Sequence, residues 1–208
     1  MDADGTGPLE RAGRHRNALV LSPPFTPGGD GLCFDLSYGG PEPPDGLVFV
    51  LATRSPDDRL HDLRDHAGDA LPPRLGFLTL GETRRSSTCE GVAAADDGLE
   101  LWTETVASPG NLTEVGVTLS NRLLSWEHVT GEVAVCFEPL GTLLQYSDVR
   151  QVYRFVHVFT QQARSTGARV HFHLDPSAHD DIVTNQLKTL FDAVVEVDGD
   201  GQVSVRSR

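Results

Sequence analysis

Lysine is almost missing from this chain: Lys188 is the only one, and the other sixteen of the 17 basic residues are arginines. A phosphate-binding loop of the G-x-x-x-x-G-K-[ST] type sets a lysine on the β- and γ-phosphates. A single lysine so late in the sequence removes that device from every earlier segment. Cysteine is scarce too. Cys33, Cys89 and Cys136 have no close spacing, which suits neither a disulfide framework nor a zinc ribbon and points to a reducing compartment. No apolar run approaches the ~20 residues that span a bilayer, and residues 1–16 are polar with no signal-peptide apolar core. The expectation is a soluble cytoplasmic protein with no membrane partner. Positive charge is also in deficit, with 30 acidic against 17 basic residues and a formal net charge of −13. Such a field repels nucleic acid and anionic lipid, so nucleic acid is disfavoured as a partner. Abundant aspartate with almost no lysine fits a protein dissolved in concentrated salt, where carboxylates hold hydrated cations and long lysine stems would expose apolar carbon.

What the sequence does contain is a regular alternation. The 208 residues suit one domain with a sizeable core. Residues 1–16 are Gly- and Arg-rich and are expected to be a disordered tail, leaving 17–208 as a single domain. Apolar runs at 18–21, 47–52, 76–80, 132–137, 169–174 and 193–197 read as buried strands. Amphipathic stretches lie between them, which predicts an α/β fold: a three-layer, mostly parallel sheet with helices on both faces.

Helix starts are signalled locally. Ser55-Pro56-Asp57-Asp58 offers a serine cap, a proline at the first helical position and acids in the first turn. Ser108-Pro109 repeats the device, Ser147 precedes the apolar stripe Val149, Val152, Val156 and Phe159, and Asp175-Pro176 is expected to open a late helix carrying Ile182, Leu187 and Leu190. Asp198-Gly199-Asp200-Gly201 predicts a C-terminal hairpin. The polar stretch 82–98 is expected to be a long mobile excursion.

Three segments carry candidate chemistry. The first follows the opening strand, where backbone N–H groups and a helix N-terminus collect phosphate in nucleotide-binding α/β proteins. Here Thr26, Gly28, Gly29 and Asp30 form a degenerate nucleotide site. Ser22 stands at the first glycine position, glycine replaces the lysine, and Asp30 sets a negative charge where phosphate would lie. The second ends at Glu138, an acid closing an apolar strand in the place where magnesium is held in such proteins. Without a triphosphate to organise the metal, a solvent-facing strand-end acid is the better reading. The third is His171, His173 and Asp175, which share one face of a strand, with His179 returning from the next helix start. This imidazole and carboxylate set suits zinc or iron, although histidines on such a face also serve as hydrogen-bonded core residues. No Gly-x-Ser-x-Gly elbow is present and no cysteine has an evident basic partner in sequence, so no catalytic residue is assigned.

The order of these segments resembles the RecA/KaiC-like family, especially a halophilic archaeal branch. The residues that carry the resemblance are Ala18-Leu19-Val20-Leu21-Ser22-Pro23-Pro24, the stretch from Val48 through Thr53-Arg54-Ser55 to Leu60, Cys136-Phe137-Glu138-Pro139-Leu140, His171-Phe172-His173-Leu174-Asp175, and Leu190 to Val197. The resemblance implies a RecA-like fold and a regulatory setting with ATP hydrolysis removed. It further implies a protein partner such as a KaiC-like subunit, a sensor or a transcriptional regulator, and it leaves an oligomer open. No cofactor is expected on this reading. Weak ATP with magnesium, or zinc on the histidine set, are the alternatives.

Overall fold

The computed structural model describes residues 12, 15–23, 26, 29–68, 70–81, 91–94, 98–127 and 131–208. Seven strands run parallel: β1 (Asn17–Leu21), β2 (Gly46–Leu51), β3 (Arg74–Leu80), β5 (Glu100–Val106), β6 (Val133–Phe137), β7 (Arg169–Leu174) and β8 (Ala193–Val197). Antiparallel β4 (Gly91–Ala94) and β9 (Val203–Ser207) close the two edges. The order is β4-β5-β3-β2-β6-β7-β1-β8-β9. Strands β1 and β2 are buried along their whole length, because helices cover both faces and leave no side for polar residues.

One face holds the larger core. It is covered by α3 (Leu112–Glu127), α4 (Leu140–Tyr146), α5 (Val149–Ser165) and α6 (Asp181–Lys188). Its centre is a chain of rings in which Phe137 stacks on Phe172 at 4.9 Å and Phe172 meets Phe159 and Phe191 edge-on. The opposite face is covered by α1 (Gly29–Tyr38) and α2 (Pro56–Ala67), over Leu47, Phe49, Phe77 and Cys136. Gly76 is required by packing: a Cβ there would lie 2.7 Å from the Trp102 ring.

The expected fold class is found, including both helical layers and the terminal hairpin, whose turn Asp198 ties by accepting from the Asp200 and Gln202 amides. Several local expectations are corrected. Ser55 caps α2 as expected, accepting from the Asp58 amide. The cap of α3 is Asn111 instead of Ser108, since its Oδ1 accepts from the Glu114 amide. At α5 the cap is Asp148, one residue after Ser147, in a reciprocal box with Gln151. Asp175-Pro176 opens only a 3-10 turn, Pro176–Ala178. The helix begins at Asp181, leaving Ile182 exposed. Within 82–98, residues 91–94 are strand β4, and 82–90 with 95–97 lie outside the described residues. Strand β5 lacks a sequence signature because Glu100-Leu101-Trp102-Thr103-Glu104-Thr105-Val106 mixes charged and polar residues into its apolar positions. Of the expected tail, Ala12 is described and is buried among Leu32, Leu36 and Val195.

Candidate functional site

The C-terminal ends of β1, β2, β6 and β7 frame a cavity of about 790 Å³. β1 crosses over β7 and β6 to reach β2, so this is the switch point at which open α/β sheets bind ligands. Ser22, Thr26, Arg54, Arg59, Glu138, Thr142, His173 and His179 are among its lining residues.

Of the segment expected to be a degenerate phosphate loop, Ser22, Pro23, Thr26 and Gly29 are among the described residues. Thr26 donates its hydroxyl to the Pro23 carbonyl at 2.8 Å, and Ser22 also turns to that carbonyl, at 3.2 Å. Both hydroxyls are thus satisfied locally. Gly29 is the first residue of α1. Gly28 and the Asp30 side chain lie outside the described residues. Lys188 donates to Glu196 on β8 at 2.9 Å, and Glu196 pairs in register with Leu21, the residue before Ser22.

Glu138 follows β6 and does not face solvent freely. Its Oε1 stands 2.8 Å from Nη2 of Arg59, a residue on α2 with no exposed surface. The guanidinium is held between two rings, 4.2 Å from the Phe34 centroid and 4.8 Å from that of Phe49. Burial pushes the Glu138 carboxyl up to about 7, against the pull of Arg59.

Beside this pair lies a cluster that spacing along the chain did not reveal. Alternation along β7 aims Arg169, His171 and His173 at the α1 face, while Val170, Phe172 and Leu174 enter the larger core. The register sets His171 opposite Cys136 of β6. Cys33 descends from α1 onto both, with its Sγ 2.6 Å from Cys136 Sγ and 3.5 Å from His171 Nε2. Arg59 Nη2 donates to Cys33 Sγ at 2.8 Å. His173 stands edge-on to His171 at 5.2 Å between ring centroids, and its Nε2 is buried with no hydrogen-bond partner. The ligand atoms of Cys33, Cys136, His171 and His173 all lie within 4.8 Å of one another.

Of the histidine set expected from sequence, His171 and His173 are therefore brought together. Asp175 and His179 are not part of that group. Asp175 is engaged with the Ser177 amide and hydroxyl, and His179 lies across the cavity against Gly141. Electrostatics differentiates the two thiols. Burial alone would raise Cys33, but the Cys136 hydrogen bond, the Arg59 charge and the two histidines outweigh it and hold the thiol well below its ordinary value. Burial, reinforced by the negative Cys33 alongside, pushes Cys136 well above it. Burial lowers His171, favouring the neutral imidazole. A thiolate, a thiol and two imidazoles form a set able to ligate a soft or borderline cation.

Fold and site together define a three-layer α/β protein with a switch-point cavity and a Cys/His cluster beneath its first helix. The chain belongs to a family of unknown function, DUF7504, whose sequence profile matches residues 16–197. A search of curated proteins returns no match. Among solved structures it is similar to a protein of Pyrococcus horikoshii OT3 studied as Project ID PH0250. The TM-score is 0.59 at 11% identity, covering 92% of this chain and 86% of that one. At that identity the likeness concerns the fold alone.

Proposed function

We propose that this chain is a non-catalytic regulatory or signalling module on a RecA/KaiC-like scaffold, acting in a salt-adapted cytoplasm through a protein partner instead of through triphosphate turnover. The observation that carries this reading is the Arg59–Glu138 pair. In nucleotide hydrolases of this layout the strand-end acid holds magnesium. Here a fixed internal cation takes that carboxylate at 2.8 Å, and releasing it would unstack a guanidinium buried between Phe34 and Phe49. The loop offers no lysine, and the only lysine is engaged on β8.

With the chemistry removed, surfaces become the working parts. The groove between α3 and α5 exposes Val117, Leu124 and Val158, and among the described residues Arg154 is the one charged residue lining it. On a chain of net charge −13, this apolar face presents no carboxylate among its described lining residues to an approaching protein. No helix among the described residues is long and apolar enough to cross a membrane.

The test is calorimetric titration of the untagged protein with ATP and magnesium in concentrated KCl, with phosphate release assayed on the same sample. The expected result is neither binding heat nor phosphate. Magnesium-dependent binding that Glu138→Gln abolishes would overturn the reading and make Glu138 a divergent metal-nucleotide ligand.

A further inference from the structure

We propose that Cys33, Cys136, His171 and His173 form a closed, four-ligand site for one zinc ion, which fastens α1 to the centre of the sheet. Two sulfurs and two imidazole nitrogens are the ligand set of structural zinc, and their softness disfavours magnesium and calcium. The four come from three elements, α1, β6 and β7, and their ligand atoms already converge within 4.8 Å.

Three further observations point to an ion. The Nε2 of His173 is buried with no partner, a state that costs about 1–3 kcal/mol unless something satisfies the nitrogen. A metal bond does so. Second, Arg59 donates to Cys33 Sγ from outside the cluster at 2.8 Å, the outer hydrogen bond by which metal thiolates are oriented and tuned. Third, two thiolates and two neutral imidazoles around a divalent ion sum to zero, so the buried centre adds no net charge beside the Arg59–Glu138 pair.

One ligand edge already has the required length and others adjust, since the four ligand atoms converge only to within 4.8 Å. Bonds of about 2.3 Å to sulfur and 2.0–2.1 Å to nitrogen give a tetrahedral S···N edge of about 3.5 Å, and Cys33 Sγ stands 3.5 Å from His171 Nε2. The same geometry sets an S···S edge of about 3.8 Å. The two sulfurs, now 2.6 Å apart, therefore spread by about 1 Å when the ion enters.

Four protein ligands leave no open position for water or substrate, so the ion is structural. Its place gives it a use. Helix α1 follows the segment where nucleotide-binding relatives of this architecture would grip phosphate, and with that grip gone the helix needs another anchor. At its far end Arg169 of β7 supplies one, donating to the Leu36, Ser37 and Tyr38 carbonyls. The zinc site supplies the second, on the same strand.

The experiment is metal analysis of the untagged full chain purified in concentrated KCl, followed by cobalt(II) titration of chelator-stripped protein. One zinc per chain is expected. Cobalt should give the ligand-field absorption of a tetrahedral centre with a thiolate-to-cobalt charge-transfer band. Cys33→Ser and Cys136→Ser should each lose part of that band, and His173→Ala should lose the tetrahedral absorption while circular dichroism keeps the native helix and strand signal. If a variant fails to fold, the wild-type titration decides alone. Substoichiometric metal together with no tetrahedral cobalt spectrum overturns the proposal. So does a metal-free protein two hydrogens lighter, with Cys33 linked to Cys136, or a cobalt spectrum indifferent to both cysteine changes. These outcomes are independent of whether ATP binds.

Discussion

On one side of β7, Val170, Phe172 and Leu174 enter an apolar cluster shared with α4, α5 and α6. On the other, Arg169, His171 and His173 stand in a row beneath α1. The first row is held by area and shape, which are non-directional and tolerate repacking. The second is held by named partners: three helix-end carbonyls and Glu132 for Arg169, and Cys33 for His171. Buried polar groups are costly unless satisfied, so this side adds little stability for its volume but fixes where α1 lies. The comparison teaches that one strand can stabilise with its even residues and specify with its odd ones.

Substitutions on the two sides should separate these roles. Phe172→Ala should have the largest effect, removing about 3–5 kcal/mol in chemical denaturation because it opens a cavity among Phe137, Phe159 and Phe191. A loss under 1 kcal/mol would mean that this face is not the main source of stability. Arg169→Met should cost less, about 1–3 kcal/mol, by leaving the α1 carbonyls without their donor. Its signature is local, with faster amide exchange in α1 and little change in α5. Uniform loosening of both helices would erase the distinction between the faces. Gly39 reports the same contact: its φ is +64°, and a Cβ there would collide with the Arg169 guanidinium.

The smallest effect belongs to a polar pair outside this strand. Lys188 donates to Glu196, and that hydrogen bond is the main cause holding the carboxyl below its usual range. A depressed folded-state value contributes stability above the unfolded pKa, about 4.3, and loses it as pH falls through the lowered folded value. Both side chains are 29% exposed, so Glu196→Gln should cost at most about 1 kcal/mol near neutrality. The difference from wild type should vanish in acid. A gap that widens as pH falls would contradict the pairing.

Much of this was readable in advance, for reasons that differ by element. Most of the six core strands announced themselves as apolar runs because burial on both faces leaves few polar positions, whereas β7 alternates Val170, Phe172 and Leu174 with Arg169, His171 and His173. Ser55 was readable as a cap because a cap depends on four consecutive residues. Asn111 and Asp148 were passed over for nearby serines, a competition settled by which side chain reaches the free amide. Strand β5 was hidden by its glutamates and threonines, three of which are taken up by neighbours: Glu100 accepts from Trp126, Glu104 accepts from Thr118, and Thr79 bonds Thr105. In the candidate site, His171 and His173 were legible as neighbours on one face because strand alternation is local. Cys33 and Cys136, 103 residues apart, gave no signal. The only available hint was that Ala134 and Cys136 alternate with the bulky residues of their strand.

The sequence alone therefore determined the layered α/β architecture, the absence of any lysine-bearing phosphate loop and the pairing of two histidines on one strand face. These follow from composition and from periods of two and 3.6 residues. Tertiary structure decided that Cys136 faces His171, that α1 brings Cys33 down onto both, and that Arg59 takes the carboxylate of Glu138. Strand register and helix crossover join residues far apart in the chain, and no local period encodes which distant segment will pack on which.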